Sequence, residues 1–197
     1  MSSFIFSTSI TLVLLSIILP LSTAYLVDIE GDPILNGRLY YIIPTTTKSG
    51  LTYTPKDKEC PLYITVAKTE NSPGTPVIFS SPIQSRKISL DQPLSLSFRG
   101  PPPCGSSLIW RESLDPLARK VYITTDGGEI GALPNAPFSI HKTDKSLIPM
   151  YELLSTPPGG ITSYVGLYED DGLLGITENP TMVYFKKAFN VLGLSTS

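Results

Sequence analysis

Short β-like runs, separated by turn residues, dominate the pattern of apolar and polar positions along this chain. They fall at positions 38–43, 62–68, 77–80, 94–99, 107–111, 120–124, 138–142, 150–154, 165–168 and 182–186. Several alternate with a period of two: Leu94, Leu96 and Phe98 share one face, and Ser95, Ser97 and Arg99 the other. That period places a strand half in a core and half in water. Nineteen prolines and fifteen glycines interrupt the chain, so no long helical periodicity survives. Many short strands with turn clusters between them predict an all-β barrel or sandwich. A weak threefold echo is present, because Pro93, Pro137 and Pro180 each stand just before a β-like run. Proline is tolerated there, where no ladder donor is needed.

The first two dozen residues do not fit this pattern. Met1 to Ala24 carries no charged side chain, and the apolar stretch from Ile10 to Leu19 is interrupted only by Thr11 and Ser16. Pro20 ends it, and Ser22 and Ala24 supply small residues at the −3 and −1 positions of a signal-peptidase site. The run is shorter than the ~20 residues that span a bilayer. Residues 1–24 are therefore expected to be a cleaved signal peptide, with a single mature domain over 25–197 that begins near Tyr25. The protein is expected in the secretory pathway, outside the cell, in the cell wall or in a vacuole, with no membrane contact after cleavage.

A hydrophobic fraction of 41% suffices for a core, and a formal charge of −2 leaves no basic footprint for nucleic acid. In an oxidising compartment the only two cysteines, Cys60 and Cys104, read as one disulfide. A bridge closing a loop of about 45 residues contributes on the order of 4 kcal/mol by loop entropy. Metal binding is disfavoured, because His141 is the sole histidine and nothing completes a four-ligand set. No metal or cofactor is expected.

The stretch from Leu26 to Ile42 carries the most information. Asn36-Gly37 is a turn signal that feeds the strand-prone Tyr40-Tyr41-Ile42. Leu26, Asp28, Glu30, Gly31, Asp32, Ile34, Tyr40 and Ile42 together resemble the opening signature of the plant Kunitz (soybean-type) protease inhibitors. Cys60-Pro61-Leu62, Cys104 six residues before Trp110, the run from Pro93 to Phe98 and the closing Val183-Tyr184-Phe185-Lys186 are similar to further family segments. The resemblance implies a β-trefoil: twelve strands with pseudo-threefold symmetry, six of them a barrel closed by a hairpin cap.

It also implies a function. In the family, the segment corresponding to Ser80 to Ile88 is a reactive loop that an endopeptidase, usually a serine protease, binds as a substrate. The resemblance makes Pro82, Ile83, Gln84, Ser85 and Arg86 the loop, Gln84-Ser85 the bond presented, and Asn36 the side chain that supports it from inside. Pro82 fixes φ and lowers the entropy lost on binding. Two departures qualify the expectation. Trypsin-directed members carry Arg or Lys where this chain has Gln84, since a carboxylate lies at the base of that enzyme's specificity pocket. The family's usual second bridge has no counterpart, as the residues from Ser155 to Ser163 include no cysteine. The expected protein is a monomeric secreted inhibitor acting in defence or seed protein regulation. The alternative is a non-inhibitory storage, wound-response or ligand-binding β-trefoil.

Other candidate chemistry is weak. His141 has no nucleophile beside it in sequence, Asp170-Asp171-Gly172 reads as a hairpin turn, and Gly127-Gly128 lacks the context of a phosphate loop. An enzyme is not expected.

Overall fold

A computed structural model describes residues 24–56, 60–102, 107–125, 136–143 and 148–188. The proposed leader (apart from Ala24), Cys104 and Gly127-Gly128 lie outside the described residues. Twelve strands follow in chain order: β1 Leu39–Pro44, β2 Leu51–Pro55, β3 Leu62–Val66, β4 Val77–Ser80, β5 Ser95–Phe98, β6 Trp110–Asp115, β7 Lys120–Thr125, β8 Phe138–Lys142, β9 Tyr151–Ser155, β10 Ser163–Leu167, β11 Leu174–Ile176 and β12 Val183–Lys187.

Their pairing divides them into two layers. Antiparallel ladders join β1 to β12, β1 to β4, β4 to β5, β8 to β9 and β9 to β12. A single bridge between Leu94 and Phe138 closes that ring, with Leu94 and Phe138 exchanging main-chain hydrogen bonds of 2.6 and 3.1 Å. Six strands thus form a barrel. The remaining six form three hairpins, β2–β3, β6–β7 and β10–β11. These meet pairwise at Leu62–Thr125, Tyr122–Gly175 and Thr65–Leu173, so the cap is itself a triangle. The architecture is a β-trefoil.

Alternation explains which residues fill it. Leu94, Leu96 and Phe98 are all buried, as the period-two pattern requires, while Arg99 is exposed. Ser95 is buried as well. Tyr40, Phe79, Phe185 and Tyr151 form a run of ring contacts 5.2–5.7 Å apart across four barrel strands, and Phe98, Trp110 and Phe138 form another at 5.1 and 6.2 Å. Tyr40–Phe79, Phe79–Phe185 and Trp110–Phe138 meet edge to face, while Tyr151–Phe185 is stacked and Phe98–Trp110 tilted. Edge-to-face and stacked pairs contribute ~1 kcal/mol each beyond their area.

Ten runs were expected as strands, and each overlaps an observed one. The run expected at 107–111 is displaced, because β6 continues to Asp115. Its outer half, with Leu114 exposed, belongs to a hairpin that needs a partner strand and no core face. Two strands, β2 and β11, were not expected. The residues around β11 pack so tightly that a Cβ on Gly175 would fall 2.4 Å from the Tyr168 ring and 2.5 Å from the Val121 carbonyl. Glycine there allows β11 to reach β7. Asp170-Asp171-Gly172 does form the turn of the β10–β11 hairpin, with Gly172 at φ +68°.

The opening signature has a physical basis. Leu26, Ile34, Tyr40 and Ile42 are core residues. Asp28 is buried, and its Oδ1 accepts hydrogen bonds from the amides of Glu30 and Asp32 at 3.0 and 2.9 Å. Gly31 has φ +85°, which completes that tight turn. The Lys187 ammonium, from the end of β12, pairs with Asp32 and lies 3.5 Å from Asp28 Oδ2. Charge pairing raises the Lys187 pKa above its ordinary value.

Charges also tie the cap together. The Lys56 ammonium sits 3.2 Å from Asp115 Oδ2 and 3.3 Å from the Tyr122 hydroxyl, over the Tyr122 ring at 4.3 Å. Tyr122 donates to Asp171 at 2.7 Å, and Lys120 pairs with Asp170 at 2.6 Å. Burial is the largest influence on Lys56 and would lower its pKa, but the hydrogen bonds its ammonium donates to Tyr122 and Asp115 outweigh it and hold the ammonium well above its ordinary value. Amide hydrogen bonds, led by Ala118, together with Lys56, hold the Asp115 carboxyl below its own.

Candidate functional site: the loop after β4

Beyond Ser80, the last residue of β4, the chain leaves the barrel for the segment from Ser81 to Lys87. Pro82, Ile83, Gln84, Arg86 and Lys87 are exposed, and Ser81 and Ser85 are half-buried. Ile83 is 49% exposed. At Ile88 the chain returns to the core, fully buried.

Both feet of the loop are anchored to the amino-terminal segment. Ile88 donates to the Ile34 carbonyl and accepts from Leu26, at 3.0 and 2.9 Å, while Leu35 and Lys87 form a bridge. Further along, Tyr25 bridges to Ser89 and the Leu90 amide donates to the Ala24 carbonyl at 3.0 Å. On the other side, Gly37 at φ +74° donates to the Phe79 carbonyl at 2.8 Å. Leu35, Asn36 and Gly37 therefore sit directly beneath the loop.

Asn36 reaches into it. Its side-chain Oδ1 accepts from the Ser81 amide at 3.1 Å, and its Nδ2 faces the carbonyls of Ser81 and Ser85 at 3.4 and 3.3 Å. The Asn36 main-chain amide donates to the Arg86 carbonyl at 2.9 Å. One residue thus grips the loop on both sides of the Gln84-Ser85 bond. A primary amide suits this place because it offers a donor and an acceptor at once.

The loop also holds itself. The Ser81 hydroxyl accepts from the Ile83 amide at 3.1 Å, the Ser85 amide donates to the Ile83 carbonyl at 2.7 Å, and the Ser85 hydroxyl donates to the Lys87 carbonyl at 2.8 Å. Of the carbonyls from Ser81 to Lys87, those of Pro82 and Gln84 alone accept no hydrogen bond among the described residues. Ser81 and Lys87 contribute to this scaffold and were not among the residues expected from sequence. The signal was present for Ser81, since Ser-Pro-Ile is an ST-turn sequence.

The remaining candidates do not join this site. Cys60 stands just before β3, and no cysteine among the described residues is free. His141, on β8, is exposed and pairs with Asp91 at 2.9 Å. Asp28, Glu30 and Asp32 bring carboxylate oxygens within 4.8 Å of one another, but the Lys187 ammonium already lies among them.

Comparison with known proteins places this geometry in context. The chain is 28% identical over 176 residues to trypsin inhibitor 2 of Psophocarpus tetragonolobus, covering 83% of this chain and 96% of that protein. Its fold is similar to the soybean trypsin inhibitor in complex with porcine pancreatic trypsin, with a TM-score of 0.70 and 25% identity over 84% of this chain and 99% of that one. It also shares the fold of the water-soluble chlorophyll protein from Brassica oleracea var. Botrytis with chlorophyll-b, at TM-score 0.69 and 23% identity over 84% and 99% of the two chains. The legume Kunitz profile, described as trypsin and protease inhibitor, matches residues 26–187, which takes in the signature, the loop and the closing strand. A β-trefoil with that signature and that match is a member of the legume Kunitz family of trypsin and protease inhibitors.

Proposed function

We propose that this chain is a secreted inhibitor of endopeptidases, serine proteases first among them, that offers Gln84-Ser85 as a substrate-like bond. One observation carries the reading: Asn36 hydrogen-bonds the loop on both sides of that bond, while the Gln84 carbonyl has no partner among the described residues. A protease needs a free carbonyl to polarise and attack. A loop already fixed in shape avoids the ordering cost of binding, so an interface of ordinary size becomes tight. The soybean trypsin inhibitor bound to porcine pancreatic trypsin supplies the analogy for the partner class.

The geometry also disfavours Arg86 as the presented residue. Its carbonyl is taken by the Asn36 amide, and the bridge between Leu35 and Lys87 follows at once. Trypsin would therefore meet Gln84, which cannot pair with the buried carboxylate of its pocket. Leaving such a charge unpaired costs several kcal/mol. The favoured target is a protease whose pocket takes a neutral side chain.

The remaining parts of the reading follow from the same frame. Residues 1–24 act as a signal peptide, 25–197 fold as one domain, and Cys60 pairs with Cys104 in an oxidising compartment. The chain works as a monomer without cofactor and carries out no catalysis. Titration of the mature protein against trypsin, chymotrypsin, subtilisin and papain tests the function. Inhibition of at least one at micromolar concentration is expected, and none at all would overturn it.

Gln84 and the absent second bridge favour one other reading, a non-inhibitory storage, wound-response or ligand-binding protein on the same scaffold. Gln84→Arg separates the two. Acquired trypsin inhibition supports a working loop with an altered specificity residue, while an inert variant supports the second reading.

A further inference from the structure

On the far side of the turn that carries Asn36, the barrel opens into a groove of about 430 Å³. It lies where β1 emerges between β4 and β12. Leu35, Leu39, Ile78 and Ala188 supply apolar surface, and the guanidinium-bearing side chains of Arg38 and Arg99 line it as well. The strand register explains the composition. Leu39 pairs with Ile78, both half-buried, so two aliphatic side chains stand side by side away from the core. Ala188 donates to the Leu39 carbonyl at 3.1 Å, which brings the end of β12 against them.

The charges are unbalanced. Lys187 also borders the groove, but its ammonium is committed to Asp32 and Asp28. Arg38 and Arg99 are exposed, and among the described residues neither guanidinium has an ion pair or a side-chain hydrogen bond. Two unpaired forks over an aliphatic floor suit a ligand with an apolar body and an anionic head. A carboxylate matches the guanidinium fork in a bidentate geometry. The volume falls within the range of small-molecule sites, roughly 300–1,000 Å³, and is too small for a folded partner.

We infer that this groove binds an amphipathic carboxylate, with its apolar body on Leu39 and Ile78 and its head between Arg38 and Arg99. Leu35 and Gly37 also underlie the Gln84 loop, but no residue from Ser81 to Lys87 lines the groove, and inhibition neither requires it nor explains it.

Decanoate is the probe, titrated into the mature full chain by calorimetry, with backbone NMR shifts to locate it. Saturable binding below about 1 mM is expected, with shifts centred on Leu39, Ile78 and Ala188. The neutral analogue 1-decanol should bind at least about tenfold more weakly, and so should decanoate to R38Q/R99Q, whose exposed substitutions leave the core untouched. Ile78→Asp should abolish binding. Non-saturable binding, equal affinity for decanol, or an R38Q/R99Q variant that binds like the parent would each overturn the assignment. Inorganic phosphate that binds as well as decanoate would reduce the groove to a bare anion site and overturn it too. A chain ending at Ala188 completes the test. If only that shortened form binds decanoate, the protein's own residues 189–197 occupy the groove and the inference fails.

Discussion

Replacing Asn36 attacks the proposed inhibitory loop without altering any atom that a protease would touch. Asn36→Ala removes one hydrogen bond of 3.1 Å to the Ser81 amide and two longer contacts, 3.4 and 3.3 Å, from a single Nδ2. A net contribution of ~1 kcal/mol for the short bond, and about as much for the two long ones together, gives ~2 kcal/mol. If that energy holds the free loop in its bound shape, its loss weakens inhibition by about thirtyfold. The measurement is best made on a Gln84→Arg background with trypsin, where the specificity residue is no longer in question. Inhibition constants, cleavage of the bond before Ser85 by mass spectrometry, and thermal unfolding are followed in parallel. Asn36→Asp sharpens the test. It keeps the acceptor for the Ser81 amide but turns a carboxylate toward the carbonyls of Ser81 and Ser85, so it should be no better than alanine. Cleavage should accelerate in both variants. If both inhibit within threefold of the parent and are cleaved no faster, Asn36 is not the brace of this loop.

Three other outcomes are expected. Gly175→Ala should destabilise the fold by ~3 kcal/mol, because its methyl meets the Val121 carbonyl and the Tyr168 ring at about 2.5 Å; thermal unfolding should shift down by roughly 6–12 °C, and an unchanged midpoint would show that the cap repacks freely. Cys60→Ser should lose ~4 kcal/mol if Cys60 pairs with Cys104, and reducing agent should lower the melting temperature of the parent but not of the variant. The third concerns pH. Asp115 and Asp170 are held below their ordinary value of 3.8, so they stabilise the fold above that value and the contribution is lost as pH falls through the lower folded values. Lys56 and Lys120 are held above 10.5, so theirs is present below 10.5 and lost as pH rises through the folded values. Denaturant midpoints should therefore fall below about pH 4 and above about pH 10.5, and Asp115→Asn should flatten the acid limb; an identical limb in that variant would refute the assignment.

Much of the barrel was legible in the sequence because its strands alternate against a single core. Val77–Ser80 and Phe138–Lys142 were read to the residue for that reason. The cap was harder. Its strands pair with each other over an exposed surface, so β6 runs beyond the apolar residues that mark its start. The short β11 depends on a glycine whose value lies in what it leaves room for, and no periodicity records that. β2 does carry a period-two signal in Leu51-Thr52-Tyr53-Thr54, so its strand is legible in the sequence. The loop was locatable through the family resemblance alone, since Ser80 to Ile88 has the composition of any exposed turn. What sequence could not supply was the hydrogen-bonding of the Ser81 and Ser85 carbonyls, which depends on a residue 45 and 49 positions away in the chain.

The proposed cleavage of residues 1–24 would have a structural side effect at the amino-terminal edge of the molecule. Cleavage after Ala24 would remove the carbonyl that the Leu90 amide donates to, yet leave Tyr25 beside Ser89 and Leu26 on Ile88. Water can replace that acceptor at a half-exposed amide, for ~1 kcal/mol or less. The new α-ammonium would appear on Tyr25, whose ring already lies 5.0 Å from the Lys87 ammonium. Around the loop, the mature protein would then lose one hydrogen bond and gain the relocated amino-terminal charge, both a few residues from the bond offered to the protease. Maturation would act as a local edit of the reactive region as well as an address, and a recombinant chain with a residual tag residue before Tyr25 would not be an equivalent inhibitor.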